Sequence, residues 1–288
     1  MEPLDYDPSK LAVLTPEKSL TPLYKAGDDG WTTEALCAEL CRLAYLRFES
    51  DPGPAGGALL TLAVEAAGLT DFESLDDSRC DAQAFVARRG GTAYIVYRGT
   101  QGDRWKDLFA DFLFFPRRWE GPGWVHWGFW RAESALWPRV QGWLSKCRPG
   151  EVVVTGHSLG AAMATVTAAR LPEARLVTFG SPRVGTRAFA GLFSADRVRR
   201  YVDCCDGVAR VPPPWGFVHV PGERYIDRRG HVAAEPPMLL ARLRDRALGH
   251  LDYLRKCSFV KGNVLSRSLA DHAPINYISG ALGVRRGP

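Results

Sequence analysis

Apolar and polar positions along this chain switch repeatedly between a helical period and a strand period. From Trp31 to Phe48 the apolar residues Leu36, Leu40, Leu43, Ala44 and Leu46 recur at helical spacing, and Thr32 or Thr33 is placed to cap the first turn. The Asp51-Pro52-Gly53-Pro54 cluster stops that pattern, and a second helical stretch covers roughly 58–68. The runs 82–89 and 92–98 are β-rich and separated by Gly90-Gly91, which predicts a tight hairpin that starts a sheet. Helical periodicity returns over 105–115 and 129–146. A strand is then predicted over 151–156, followed by a helix of small residues to about Arg170. Strands over 176–180 and 197–203 enclose a short helix near 186–193. After Pro212-Pro213-Pro214, the segments 217–220 and 224–227 read as a further hairpin, and helices near 238–246 and 275–282 finish the pattern.

Strands that alternate with helices predict a mostly parallel central sheet with helices on both faces and antiparallel hairpins at the edges. A length of 288 residues supports one substantial core, so residues 31–288 read as a single α/β domain and the Pro-containing residues 1–30 as an arm over it.

Charge narrows the function classes. The net charge of +5 falls in short pairs such as Arg88-Arg89, Arg117-Arg118 and Arg199-Arg200 with acidic residues nearby, which argues against a nucleic-acid stripe. A mild attraction to anionic lipid is consistent with it. The N-terminal residues include early acids and no apolar stretch of the length an export signal requires. The most apolar stretch, 152–169, is interrupted by Thr155, His157, Ser158, Thr165 and Thr167, so it reads as buried in protein rather than in a bilayer. Seven cysteines without Cys-x-x-Cys spacing argue against a structural zinc site and against a secreted disulfide framework. Cys37 and Cys41 sit four apart on a predicted helix, where packing explains them, while the adjacent pair Cys204-Cys205 has no pattern-based assignment.

The chemistry concentrates at Gly156-His157-Ser158-Leu159-Gly160. A strand that meets Gly-x-Ser-x-Gly and opens into a small-residue helix is the pattern of a nucleophile elbow, a sharp turn that pushes a serine hydroxyl into the open. The two glycines stand where side chains would collide with the neighbouring turn. The Leu159 N–H, at the positive end of the new helix, points to where a tetrahedral oxyanion would form. A serine hydroxyl needs a histidine to take its proton, and that histidine needs a carboxylate to fix its tautomer. Downstream of Ser158 stand His219, His231, His250 and His272, and spacing alone does not choose among them.

Beyond the elbow, several ordered segments resemble the fungal-type triacylglycerol lipases, also called class 3 lipases. They are Tyr94-Ile-Val-Tyr-Arg-Gly-Thr100, Val125-His-Trp-Gly-Phe129, Val177-Thr-Phe-Gly-Ser-Pro-Arg-Val-Gly185, the segment from Val202 to Pro213, and Phe217-Val-His-Val220. The resemblance covers roughly 31–280 and implies the α/β-hydrolase fold, in which the acid precedes the histidine. It implies that Thr100 joins Leu159 in holding the oxyanion. It also selects Asp206, a few residues before Pro212-Pro213, over Asp203 as the acid, although the family's proline near that loop is Ala209 here. His272, in Asp271-His272-Ala273-Pro274 before a helix that proline can start, becomes the base, with His250 in reserve. His219, His126 and His157 read as structural.

The activity implied is a serine carboxylic ester hydrolase acting on lipid esters through an acyl-enzyme, with no metal or organic cofactor and with transient contact to a lipid interface. A phospholipase A1, a soluble-ester or feruloyl esterase, and a catalytically silent binding module on the same fold are the alternatives. Trp105, Leu108, Phe109, Phe112 and Leu113 share one helical face at the position where the family has a lid, and a lid or an immobile core helix both fit that face. Trp119, Trp124, Trp127, Trp130 and Trp137 are placed either to line an acyl pocket or to pack.

Overall fold

The computed structural model describes residues 4–18, 20–24, 30–46, 48, 55–100, 115–233, 235–283 and 285–286. In chain order its elements begin with β1 (Leu4–Asp5), α1 (Lys10–Leu14), α2 (Thr33–Leu43), α3 (Ala55–Ala66), β2 (Thr70–Asp77), β3 (Ala82–Arg89) and β4 (Thr92–Tyr97). Next come β5 (Pro116–Arg118), β6 (Trp124–His126), α4 (Trp127–Cys147), β7 (Glu151–His157), α5 (Leu159–Arg170), β8 (Arg175–Phe179), α6 (Arg187–Ala190) and β9 (Val198–Asp203). The last are β10 (Glu223–Ile226), α7 (Leu239–Lys256), α8 (Arg267–Ala270), α9 (Pro274–Ala281) and β11 (Arg285–Arg286).

Seven strands form the central sheet in the order β10-β9-β8-β7-β4-β3-β2. The strands from β10 to β4 run parallel, and β3 and β2 add on antiparallel. The register places Ile95, Val154, Leu176 and Val198 in one row across four strands. All four are fully buried in a core shared with Leu136 of α4 and Ala162 and Val166 of α5. Their neighbours Val96, Val153 and Val177 point to the opposite face, into a second core with Leu36 and Leu40 of α2 and Tyr277 and Ile278 of α9. Strands covered on both faces must be apolar at successive positions, which is why 152–154 reads as an unbroken valine run.

Several local predictions hold in their physical detail. Thr32 caps α2, its hydroxyl accepting from Ala35 N at 3.1 Å, and Gly90-Gly91 joins β3 to β4. Others are corrected. The sheet does not start at that hairpin: β2 precedes it, and its sequence Thr-Asp-Phe-Glu-Ser-Leu-Asp-Asp escapes notice because an edge strand with solvated side chains carries little apolar alternation. The segments 217–220 and 224–227 are not a hairpin. Val218 makes an isolated bridge to Gly185, and β10 pairs with β9 in parallel. His219 donates its Nε2–H to the Ala209 carbonyl at 2.9 Å, which fastens this segment to the preceding loop. Helix α7 runs ten residues past the predicted end at Arg246, a length hidden by Gly249, whose bare backbone lies where a Cβ would come 3.0 Å from Cys205 Sγ. The helix predicted over 105–115, with its lid reading, lies outside the described residues except for Phe115.

The first residues are tied to the last. β1 pairs in parallel with β11, and buried Tyr6 donates its hydroxyl to Asp271 at 2.6 Å. All seven cysteines are free thiols.

Candidate active site

The turn between β7 and α5 holds Ser158 at φ 60° and ψ −127°, a left-handed conformation that costs a non-glycine residue about 1–3 kcal/mol. The flanking glycines make the turn possible. A Cβ on Gly156 would overlap the Gly160 carbonyl, and one on Gly160 would overlap the Tyr97 carbonyl at the end of β4. Ser158 N–H donates to the Phe179 carbonyl at 3.0 Å, which ties the elbow to the end of β8. Among the described residues, Ser158 Oγ is buried and has no hydrogen-bond partner. Leu159 is the first residue of α5, where geometry denies the N–H an intrahelical acceptor. Thr100 is half-buried and follows Gly99, whose backbone lies so close that a Cβ there would stand 3.0 Å from Ser158 Cβ. The loop from β4 therefore runs directly beside the serine.

Asp206 stands in the turn after β9, and His272 in the short link between α8 and α9. Both side chains are fully buried, and His272 Nδ1 lies 2.7 Å from Asp206 Oδ2. Because a carboxylate only accepts, the proton on that bond belongs to Nδ1, and the lone pair of the neutral ring is then on Nε2. Two further donors converge on the same carboxylate: Tyr277 OH on Oδ2 at 2.5 Å and Val208 N–H on Oδ1 at 2.8 Å. Gly180, immediately after β8, makes room for the pair. At φ 59° it carries no Cβ, and one placed there would come within 2.8 Å of both Asp206 Oδ2 and His272 Cε1. Ser158 thus leans on Phe179, and the His272–Asp206 pair packs on the next residue, all at the carboxyl ends of parallel strands. That is where open α/β sheets place their ligands.

His157, beside the serine in sequence, faces inward. Its Nε2–H donates to the His272 carbonyl at 2.8 Å, and its Nδ1 accepts from Tyr45 OH at 2.7 Å. Burial pushes its pKa well below the ordinary histidine value, so the ring is neutral and its tautomer is set by the carbonyl. It positions the loop that carries His272.

The same loops are held from the other side by a buried ion pair. Arg267 Nε lies 3.2 Å from both oxygens of Asp271, and neither side chain reaches solvent. Its other nitrogens donate to the carbonyls of Gly249 on α7 (3.0 Å) and Arg228 (2.8 Å), while Cys205 N–H donates to Asp271 at 3.2 Å. Residues next to His272 and next to Asp206 are therefore joined through one carboxylate. Cys204 and Cys205, with sulfurs 3.4 Å apart, complete this cluster. The ligand atoms of Cys204, Cys205 and Asp271 lie within 4.8 Å of one another, but the Arg267 guanidinium already occupies the carboxylate and opposes a second cation there.

The remaining candidates fall elsewhere. Asp203 is buried with its carboxyl accepting from Cys204 N–H at 2.8 Å, while exposed His231 faces Asp227 at 3.3 Å. His250 lies on α7, where burial lowers its pKa, and His126 caps α4, accepting from Gly128 N. Of the tryptophans, Trp124 and Trp127 are exposed and share an apolar hollow with Phe115, whereas Trp119 packs on Phe189 and Trp130 lies 3.6 Å beneath the Arg117 guanidinium. Sequence reasoning read His157 as structural, as found, and gave no role to Tyr277 or Arg267. Only the last carried a signal, an Arg and an Asp four apart in front of the candidate histidine.

Residues 94–215 match the family model for "Lipase (class 3)". A lipase from Rhizomucor miehei is 34% identical over 165 residues, covering 50% of this chain and 45% of that protein. "Phospholipase A(1) DAD1, chloroplastic" from Arabidopsis thaliana is 41% identical over 73 residues, covering 22% of this chain and 16% of that protein. A solved structure described as "A serine protease triad forms the catalytic centre of a triacylglycerol lipase" is 29% identical with a TM-score of 0.53, covering 67% of this chain and 77% of that one. The chain spans less than half the length of these curated relatives. Sheet order, elbow and structural likeness define an α/β-hydrolase fold. Within that fold, residues 94–215 are similar to the class 3 lipases, and the relatives found include a fungal lipase.

Proposed function

We propose that this chain is a serine carboxylic ester hydrolase acting on lipid esters, with residues 31–288 as the working domain and 1–30 as an arm packed across it. The observation that carries the reading is the His272–Asp206 bond of 2.7 Å, packed at Gly180 beside a serine held at a strained φ of 60°. In the reaction, Ser158 Oγ attacks the ester carbonyl carbon while His272 Nε2 takes its proton. Asp206 fixes the ring and stabilises the imidazolium that forms. The carbonyl oxygen becomes an oxyanion held by the Leu159 N–H and by Thr100, and each such donor is worth about 10²–10³ in turnover. His272 gives its proton to the leaving alkoxide, which departs as an alcohol. Water, deprotonated in turn by His272, attacks the acyl-enzyme and releases the acid and free Ser158.

Lipid esters are favoured over soluble ones by the family relationship and by the exposed apolar hollow of Phe115, Trp124 and Trp127. Phospholipids are the second reading, supported by the 41% identity to a plant phospholipase A1. The test is the rate on p-nitrophenyl esters of increasing acyl length, below and above their solubility limits, for the parent chain and Ser158→Ala. Hydrolysis that favours long chains, rises on aggregation and vanishes in Ser158→Ala is expected. Activity retained by Ser158→Ala, or none with any ester, would overturn the proposal.

A further inference from the structure

Helix α7 is amphipathic in the reverse sense from a helix that packs by its apolar face. Four of its charged side chains face the protein: Arg242 pairs with Glu223 at 2.7 Å, Asp245 accepts from Tyr225 OH at 2.9 Å, Asp252 pairs with Arg228 at 2.7 Å, and Arg246 donates to the Cys204 carbonyl at 3.3 Å. Its leucines face outward. Leu240, Leu243, Leu251 and Leu254 recur at helical spacing with exposures of 80%, 47%, 39% and 51%, and Phe259 in the turn that follows is 84% exposed. With 3.6 residues per turn these leucines share an arc of about 80°, so they form one stripe rather than scattered exposures.

Charge follows the same division. Residues 238–261 hold six basic and two acidic side chains, in a chain whose total net charge is +5. Both acids, Asp245 and Asp252, are the ones bonded to the body, so every exposed charged residue in this span is basic: Arg244, Arg255, Lys256 and Lys261. Arg244 and Arg255 lie about 40° and 60° round the helix from Leu240, along one edge of the leucine stripe.

We propose that α7 and the turn after it seat this protein on an anionic phospholipid bilayer, with the leucines and Phe259 entering the interface and the flanking cations meeting lipid phosphates and carboxylates. Basic residues beside an apolar stripe are a pattern of helices that lie in a membrane interface. No helix among the described residues is long and apolar enough to cross a membrane, so the contact is peripheral. The placement also has a consequence for the candidate site. Arg246 holds the loop before Asp206 through the Cys204 carbonyl, and the Gly249 carbonyl holds Arg267, five residues before His272. The helix that would dock is therefore the one to which the loops carrying both residues are hydrogen-bonded. The surface goes beyond the hydrolase reading and would serve a catalytically silent chain equally.

The test is co-sedimentation of full-length Ser158→Ala protein, which cannot consume the vesicles through Ser158, with vesicles of phosphatidylcholine alone and of phosphatidylcholine with phosphatidylserine. Binding at least about tenfold tighter to the anionic vesicles, weakening with salt, is expected from several cations near the surface. Adding Leu240→Ser, Leu243→Ser and Leu254→Ser is expected to abolish binding, and Arg244→Gln with Arg255→Gln to remove the anionic preference, while circular dichroism and melting stay as in the parent. No vesicle binding by a folded parent, or binding that survives both sets of changes, overturns the proposal. So does a dimer in sedimentation velocity that the serine substitutions dissolve while vesicle binding persists.

Discussion

Tyr277 places its hydroxyl 2.5 Å from Asp206 Oδ2, the same oxygen that His272 Nδ1 meets at 2.7 Å. The hydroxyl oxygen also accepts from Asp203 N–H at 3.2 Å, so one side chain links the end of β9 to the carboxylate it must hold still. Hydrogen bonds to charged groups contribute about 1.5–3 kcal/mol, and their loss here falls on the orientation of the acid. Tyr277→Phe is expected to lower kcat on a soluble ester by about 10–100-fold with little change in KM. An equal loss in Asp203→Asn and Asp206→Asn would contradict this arrangement, in which Asp206→Asn falls furthest, by about 10⁴-fold.

Gly180 separates activity from fold. Alanine there must adopt φ 59° and fit a methyl group 2.8 Å from Asp206 Oδ2 and His272 Cε1. Displacement of a reacting group by about 1 Å costs on the order of 10²-fold in rate. Gly180→Ala is expected to lose activity to that extent while remaining folded by circular dichroism. Full activity would mean that the pair does not need its present position.

Stability should depend on pH through buried groups other than the His272–Asp206 pair. Glu133, buried beneath α5 and bonded to Thr167 at 3.0 Å and Arg170 at 3.2 Å, has its pKa raised to about 7 by burial. The folded state then binds a proton that the unfolded chain has released, so stability falls as pH rises from the ordinary carboxyl range through about 7. Glu133→Gln should flatten that limb of a melting-temperature profile. On the acid side, His157 and His219 are held neutral with pKa values well below normal, so their contribution is lost as pH drops below the ordinary histidine value, and Glu133→Gln should make that loss steeper by removing the opposing Glu133 slope. A profile identical in both proteins would refute the assignment.

The Arg267–Asp271 pair should matter for folding before it matters for chemistry. Removing one partner of a fully buried pair strands the other charge, at a cost of about 3–5 kcal/mol. Arg267→Met is expected to lower the unfolding free energy by about 3–5 kcal/mol, seen as a lower urea midpoint at unchanged m. An unshifted midpoint would show that Asp271 is satisfied without the guanidinium.

Legibility in the sequence followed the physics of each element. The β7–α5 elbow could be read directly because strain, close approach and a buried strand all leave marks in a short span. Family resemblance supplied Asp206 and His272, which spacing could not choose. The edge strand β2 was invisible because only Leu75 of its eight residues is fully buried. The parallel pairing of β10 was misread because a crossover and a hairpin share the same local alternation. Tyr277 sits 71 residues from the carboxylate it meets, and a hydrogen bond of that span leaves no periodic trace. The length of α7 was hidden by Gly249, which reads as a stop but is required by the close approach of Cys205.

The most direct measurement treats the folded chain with a fluorophosphonate probe and maps the adduct by mass spectrometry. The account predicts one covalent adduct, on Ser158 Oγ, formed rapidly in the parent chain and lost or slowed by orders of magnitude in His272→Ala. A folded protein left unmodified at Ser158, or modified as fast without the imidazole, would contradict it.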